Sequence, residues 1–320
     1  DGLNAQGINK KKEVRSKFPM AWDGMKLSLG DFSAFEVTLA DAVYNDPELR
    51  AALIEGKKIH ALFGMELFPG QTYEQIVASD GSSELDCYTI AKSGVFAMIY
   101  GGNAETLTRN LGIPPDVASR AFESWGHTFP GIAKARVRIF DMFCSMRQPD
   151  GLGTAVVWTE PADYIESFLG DRRYFTLENK ITKALFDLAR KPPKEWKDSK
   201  VKVVRRDRIQ SAAGAVSSAL YGAAFGLQQA NMRAAANHEI QSPGARITKY
   251  TQRKVWDLQP AGVHEWVVAT CNIHDEILCV HKPEVVDDVV DVVRESVEHF
   301  RPQVPLIGMS WIKGAASWAG

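Results

Sequence analysis

Three groups of residues in this 320-residue chain have the types and spacing to do chemistry. The first is acidic. Asp31 ends a run in which Met25, Leu27 and Leu29 alternate with Lys26, Ser28 and Gly30, and Asp275-Glu276 divide two β-rich runs in EWVVATCNIHDEILCV. Taken singly, Asp31 reads as a helix N-cap or a loop carboxylate and Asp275 as a turn residue. On neighbouring strands they become oxygen donors of the kind Mg²⁺ takes together with substrate phosphates. Two ions held that way serve both sides of an in-line phosphoryl displacement. The second group is Lys92, Phe96 and Tyr100, four residues apart, which share one face of a helix. That stripe reads either as a half-buried amphipathic face with a snorkelling lysine or as a nucleotide platform, with a cation for a triphosphate and rings on which bases stack. The third is a basic run, nine Lys and Arg from Arg190 to Arg208 against Glu195, Asp198 and Asp207. It reads as a solvated surface loop or a nucleic-acid contact.

These groups need elements to position them. The period of two over 25–30 predicts a strand ending near Asp31. Phe35, Leu39 and Val43 then recur at helical spacing, and Pro47 can open a helix that Gly56 ends. Residues 84–100 read as a helix closed by Gly101-Gly102, and Pro114-Pro115 open another that runs to about Phe129. Residues 145–210 are charge-dense and broken by Pro192-Pro193, which predicts an insertion or loop. The Ala-rich 208–237 stretch predicts a helix of several turns. Residues 265–280 read as a hairpin with His274-Asp275-Glu276 at its tip. A last helix carries Val285, Val286, Val289, Val293 and Val297 on one face, and the tail from Pro305 to Trp318 is β-like and aromatic.

Composition narrows the classes. With 45% apolar and 24% charged residues the chain has an ordinary globular make-up, which excludes a mainly disordered or collagen-like protein. Four scattered cysteines without a CxxC pair exclude a disulfide scaffold and suit a reducing compartment. No apolar run reaches the ~18 residues of a membrane span, so no membrane partner is expected. The opening DGLNAQGINKKKEV has no apolar core of a signal peptide. A net charge of -1 excludes a global basic field but not a local basic groove.

The order of these pieces resembles DNA polymerase family A, the bacterial polymerase I and phage replicative type. DFSAFEVTLADAV resembles its motif A, and EGKKIH, ending at His60, resembles the segment just after it. AKSGVFAMIYGG resembles motif B, with Lys92, Phe96, Tyr100 and Gly101 at the family spacing. NIHDEILCV resembles motif C, with His274, Asp275 and Glu276. RAAANHEIQ resembles the primer-template segment, and LNAQGI and VRSKF resemble a loop and basic-aromatic run near the start.

The resemblance implies a mixed α/β fold, an antiparallel palm sheet with helical fingers, in the right-hand arrangement without its thumb. It divides the chain into 1–47 (palm, motif A), 48–145 (fingers, motif B), a connecting excursion at 146–210, and 211–320 (palm, motif C and tail). It implies a DNA-directed DNA polymerase that adds deoxynucleotides to a primer 3′ end, with primer-template DNA and dNTP as partners and two Mg²⁺ ions as cofactors. Asp31, Asp275 and the Phe32 carbonyl are the implied metal ligands, and Glu276 is a supporting carboxylate near the primer end. Lys92 and His60 are implied at the nucleotide's phosphates. Glu36 is implied as the steric gate against a ribose 2′-OH, Phe96 at the sugar and Tyr100 at the templating base. Arg233, Asn237, Gln241 and His274 are implied in the primer-template minor groove. A bacterial or phage-infected cytoplasm is the implied setting, and a thumb or exonuclease segment of a longer parent chain an implied partner. The competing readings are a two-metal phosphodiesterase or nuclease and an inactive nucleic-acid-binding fragment.

The chain departs from the family pattern at three places. Tyr88 stands where the family has an arginine, one turn before the motif B lysine. Ala34 and Phe35 replace the common Gln and Ile of motif A. Ser242-Pro243 follow Gln241 where Gly-Thr is frequent.

Overall fold

A computed structural model describes residues 12–18, 22, 24–82, 85–151, 153–197, 201–205 and 208–319. The LNAQGI segment, Lys10, Lys11, Lys200 and Arg206 lie outside the described residues. The chain forms two compact units, a sheet unit of Asp1–Ile59 with Ile240–Gly320 and a helical unit of His60–Glu239.

The sheet unit is built on a four-stranded antiparallel sheet. Its strands run in the order Met309–Ala315, Lys26–Phe32, Glu276–His281, Val268–Ile273. The predicted strand at 25–30 is therefore an inner strand, so Ser28 and Gly30 are buried along with Leu27 and Leu29. Side chains alternate between faces along a strand, so Leu27 and Leu29 meet Leu278 and Val280 on one face. That face packs with Met25, Ile273 and Trp318. The other face carries Cys279 and Val268 against Val255, Val289 and Val293, from the end of the long Ala212–Trp256 helix and the Val286–Phe300 helix. Gly30 lies where a Cβ would come within 2.3 Å of the Trp311 ring, so only glycine lets the neighbouring strand's indole close over it.

In the helical unit, Cys87–Ile99 buries Ala91, Gly94, Val95, Met98 and Ile99. Gly94 is small because the Phe63 ring of the Ile59–Leu67 helix lies against it. Phe63 in turn stands edge-on to Trp125, with ring centroids 4.9 Å apart. A second core joins Ile139, Phe143, Ile165, Phe175, Ala235 and Ala236.

The excursion is more ordered than the sequence predicts. It contains a helix, Thr176–Arg190, and short two-stranded ribbons, among them Lys202–Arg205 paired with Arg208–Ser211. The Ala-rich helix also extends well beyond 237, running from Ala212 to Trp256 with Pro243 inside it. The backbone stays helical through Ser242-Pro243. Proline leaves the Glu239 carbonyl without its helical N–H and crowds it with the ring, and Gly244 beside it closes on Leu39 and Phe35. Among the described residues no helix is long and apolar enough to cross a membrane.

Candidate active site

The acidic group assembles within the sheet unit. Strand pairing sets Asp31 directly across from Glu276, and the two-residue turn His274-Asp275 joins Ile273 to Glu276. Two segments distant in sequence thus present Asp31 and Asp275 at one end of adjacent strands. Glu276 opens the second strand of the hairpin rather than standing at its tip. His274 has φ 56, in the left-handed region. Histidine tolerates that region better than branched residues, yet such a backbone costs about 1–3 kcal/mol and persists where surrounding contacts enforce it. One contact is the Asn272 side-chain amide, which donates to the His274 carbonyl at 2.9 Å. Lys249 Nζ in turn holds the Asn272 Oδ1 at 2.6 Å.

The three carboxylates are not equivalent. Glu276 has both oxygens engaged: Arg15 pairs with Oε2 at 2.9 Å and the Trp318 indole N–H donates to Oε1 at 2.9 Å. Among the described residues no group of three or more His, Cys, Asp or Glu converges as a metal cage. A pair of carboxylates still fits Mg²⁺, which binds through one or two carboxylates with water and substrate phosphate rather than through an all-protein cage. Asp31 and Asp275 have that donor chemistry.

Motif A continues past Asp31 through a turn with Ala34 in the left-handed region (φ 46) into the Phe35–Tyr44 helix. Ser33 N–H is fixed by the Gly308 carbonyl at 2.9 Å. The Phe32 and Phe35 rings stack 4.2 Å apart. Glu36 is half-buried in the first helical turn, whereas Val37, Thr38, Leu39, Ala40 and Asp41 behind it are buried.

The nucleotide group assembles within the helical unit. The Cys87–Ile99 helix starts at Asp86, whose side chain accepts the Thr89 N–H at 2.8 Å. Lys92 is exposed, its Nζ 5.9 Å from the centroid of Phe96, and Phe96 and Tyr100 are near-parallel with centroids 6.3 Å apart. The helix ends at Tyr100, and Gly101 follows with φ 79, the left-handed stop that glycine adopts at no steric cost. His60 stands edge-on to both Tyr88 and Phe96, at 5.8 and 5.4 Å. The Tyr88 phenol is pushed up by burial and by Asp80 and Tyr73, so it stays neutral and supplies no positive charge beside Lys92.

Arg233, Asn237 and Gln241 recur every fourth residue of the Ala212–Trp256 helix. Arg233 and Gln241 are exposed. Asn237 is half-buried, and its Oδ1 accepts no hydrogen bond among the described residues. Two residues around the acidic group were not singled out by the sequence reading. Arg15 counted only as part of a basic-aromatic run and Trp318 only as the end of an aromatic tail. Neither sits near Glu276 in sequence, so no spacing signal could have joined them.

DNA polymerase family A matches the chain over residues 3–319. DNA polymerase I of Deinococcus radiodurans is 27% identical over 164 residues, 51% of this chain and 14% of that protein. DNA polymerase I of Chloroflexus aurantiacus is 31% identical over 123 residues, 38% of this chain and 12% of that protein. Among solved structures, the POL domain of Pol1 from M. smegmatis, in complex with DNA primer-template and dNTP, matches the fold with a TM-score of 0.64 at 20% identity, covering 99% of this chain and 44% of that one. The chain thus spans less than half the length of that solved relative, and its matches take in about an eighth of the two polymerases I. With the family match running across almost all of its residues, the chain belongs to DNA polymerase family A.

Proposed function

We propose that this chain performs template-directed addition of deoxynucleotides to a primer 3′ end, releasing pyrophosphate. The observation that carries the reading is the pairing of Lys26–Phe32 with Glu276–His281, which brings Asp31 to the end of the strand beside the Asp275 turn in a chain of this family. The solved relative from M. smegmatis is a complex with primer-template and dNTP, which supports the same partners here. Asp31, Asp275 and the Phe32 carbonyl would hold two Mg²⁺ ions, which when bound lower the charge barrier to attack by the primer 3′-OH and to departure of pyrophosphate. The reaction is placed in a bacterial or phage-infected cytoplasm.

The remaining roles follow from chemistry. Lys92 carries a charge on an exposed helix face and meets the triphosphate, with His60 against the Phe96 ring in the same unit. Phe96 lies against the sugar and Tyr100 at the templating base, as near-parallel rings suit stacking. Glu36 excludes a 2′-OH. Arg233, Asn237, Gln241 and His274 bear hydrogen-bonding groups suited to minor-groove acceptors, which are nearly the same for every base pair. The test is primer extension with dNTPs by Asp31→Asn and Asp275→Asn. Each should lose about 10³-fold or more of kcat, the scale of transition-state charge stabilisation, with primer-template binding retained. Near-normal extension by either variant sinks that residue's assignment. Primer shortening without dNTP would point to a phosphodiesterase instead.

A further inference from the structure

We propose that Arg15 and Trp318 are positioning residues for the reaction: they hold Glu276 as a protein-bound anchor and so fix the turn that carries Asp275. The proposal rests on the polymerase reading for what Asp275 does, but the anchoring itself is a property of the sheet unit.

Both oxygens of Glu276 are held. Arg15 and Glu276 side chains are 15% and 14% exposed and pair at 2.9 Å. The second Glu276 oxygen takes the Trp318 indole N–H at 2.9 Å. The Arg15 guanidinium lies over the Trp318 ring, 4.3 Å from its centroid. Trp318 is tied back in turn: its backbone N–H donates to the Phe18 carbonyl at 3.0 Å, and the two rings meet edge to face at 6.0 Å. Three chain segments therefore converge on one carboxylate. Charge-assisted hydrogen bonds of this kind are the stronger ones, and truncating one partner leaves a charge buried alone.

The neighbouring turn explains why such an anchor is useful. His274 sits at positive φ, so the turn would relax if released. On its leading side Asn272 grips the His274 carbonyl. On its trailing side the only residue between the turn and the rest of the strand is Glu276, held by Arg15 and Trp318. Asp275 is thus located by contacts on both flanking residues. A displacement of about 1 Å in a reacting group can lower a rate by about 10²-fold. The assignment gives Arg15 and Glu276 a holding role within the protein, as partners of each other.

The test uses Arg15→Met, Trp318→Phe, which keeps the ring and loses the N–H, and Glu276→Gln. Single-nucleotide addition, primer-template affinity over a salt series, Mn²⁺ binding by electron paramagnetic resonance, and hydrogen exchange of the 270–278 segment are measured on each. Expected are a loss in kcat of about tenfold to a hundredfold, primer-template Kd within twofold, and faster exchange at 270–278. The Arg15→Met/Glu276→Gln double variant should be no worse than its poorer single, because both remove the one Arg15–Glu276 ion pair. Rescue of Arg15→Met by Arg15→Lys separates lost charge from lost packing. If Arg15→Met keeps kcat but weakens primer-template binding and lowers the salt slope by about 1, Arg15 is a phosphate contact and the proposal fails. If Glu276→Gln weakens Mn²⁺ binding while exchange at 270–278 is unchanged, Glu276 is a metal ligand and the proposal also fails. Asp275→Asn serves as the control: full activity there overturns the polymerase role of Asp275, while the exchange data still decide whether the anchor exists.

Discussion

The two units carry their chemistry in opposite ways. In the sheet unit, Asp31 and Asp275 come from segments far apart in sequence and meet only because Lys26–Phe32 pairs with Glu276–His281. Their surroundings are clamped, with the strained His274 held between Asn272 and the Glu276 anchor. In the helical unit, Lys92, Phe96 and Tyr100 come from a single helix, and the lysine stands exposed on it. The difference teaches where rigidity is needed. On the proposed roles, the groups that would hold a cation through the chemical step are over-determined by long-range contacts. A group that meets a substrate arriving from solvent is offered on a local, mobile side chain.

If that division is right, substitutions in the two units should fail differently. Asp275→Asn should cost about 10³-fold or more in kcat with little change in the KM for dNTP, because the carboxylate acts on charge that develops in the transition state. Lys92→Ala should cost about 10²-fold in kcat/KM, with a large share in KM, since the lysine also binds the ground-state triphosphate. Neutral Tyr88 leaves Lys92 without an arginine one turn away, so Tyr88→Arg should recover part of the Lys92→Ala loss. Steady-state single-nucleotide kinetics on all three decide it. An effect of Lys92→Ala confined to kcat would erase the distinction between the units.

Away from the acidic group, each unit also contains a buried carboxylate tied to an arginine, which allows a second comparison on stability alone. Asp41 accepts from Arg50 Nε at 3.1 Å to both oxygens, and Glu239 accepts from Arg138 at 2.6 and 2.7 Å. Burial pushes both carboxyls above their ordinary values of 3.8 and 4.5, against the pull of the arginine. A group with a raised folded pKa binds its proton more tightly folded than unfolded. Its contribution is therefore fully present below the unfolded value and declines as pH rises through the folded value. Arg50→Ala and Arg138→Ala should each destabilise by about 3 kcal/mol at pH 7, since removing one partner leaves an uncompensated buried charge. The deficit should shrink toward pH 4, where both carboxyls take up protons. Denaturant melts at the two pH values measure this. A deficit that grows at acid pH would show that the carboxylates are ionised and paired more strongly than burial suggests.

The same contrast explains what could be read in the sequence. The Cys87–Ile99 helix and its stripe were legible because every signal, the spacing of Lys92, Phe96 and Tyr100 and the closing Gly101-Gly102, lies within one short segment. The Lys26–Phe32 strand was legible from its alternation, but its inner place in the sheet depends on two partners from the far, C-terminal part of the chain, Glu276–His281 and Met309–Ala315. The Thr176–Arg190 helix was not legible as such. Its buried face mixes Asn179 and Thr182 with Phe186 and Ala189, while Leu177, Ile181 and Leu188 are exposed, so hydrophobicity does not single out one face. The long helix was read only over its Ala-rich part, 208–237, whereas it runs to Trp256 through the less Ala-rich sequence that contains Pro243. Arg15, Glu276 and Trp318 illustrate the limit most plainly: a carboxylate's partners cannot be read from spacing when they lie at opposite ends of the chain.

The smallest expected effect concerns sugar choice and sits at the start of the Phe35–Tyr44 helix. Glu36 is half-buried on a base fixed by the stacked Phe32 and Phe35 rings and by buried residues through Asp41. A gate built there works by volume, because its backbone cannot retreat. Glu36→Ala should therefore raise ribonucleotide use relative to deoxynucleotide use by about tenfold, a difference of about 1.4 kcal/mol between two transition states. Glu36→Gln keeps the volume and removes the charge, so it should discriminate almost as well as Glu36 itself. Competition between a dNTP and its matching NTP on one primer-template reads both ratios. If Gln relaxes selection as far as Ala, the gate acts through charge on the sugar or its hydration rather than through space. If neither changes the ratio, the exclusion belongs to another residue, and Phe96 and Tyr100 in the helical unit become the next to test, which would move substrate selection wholly onto the locally built stripe.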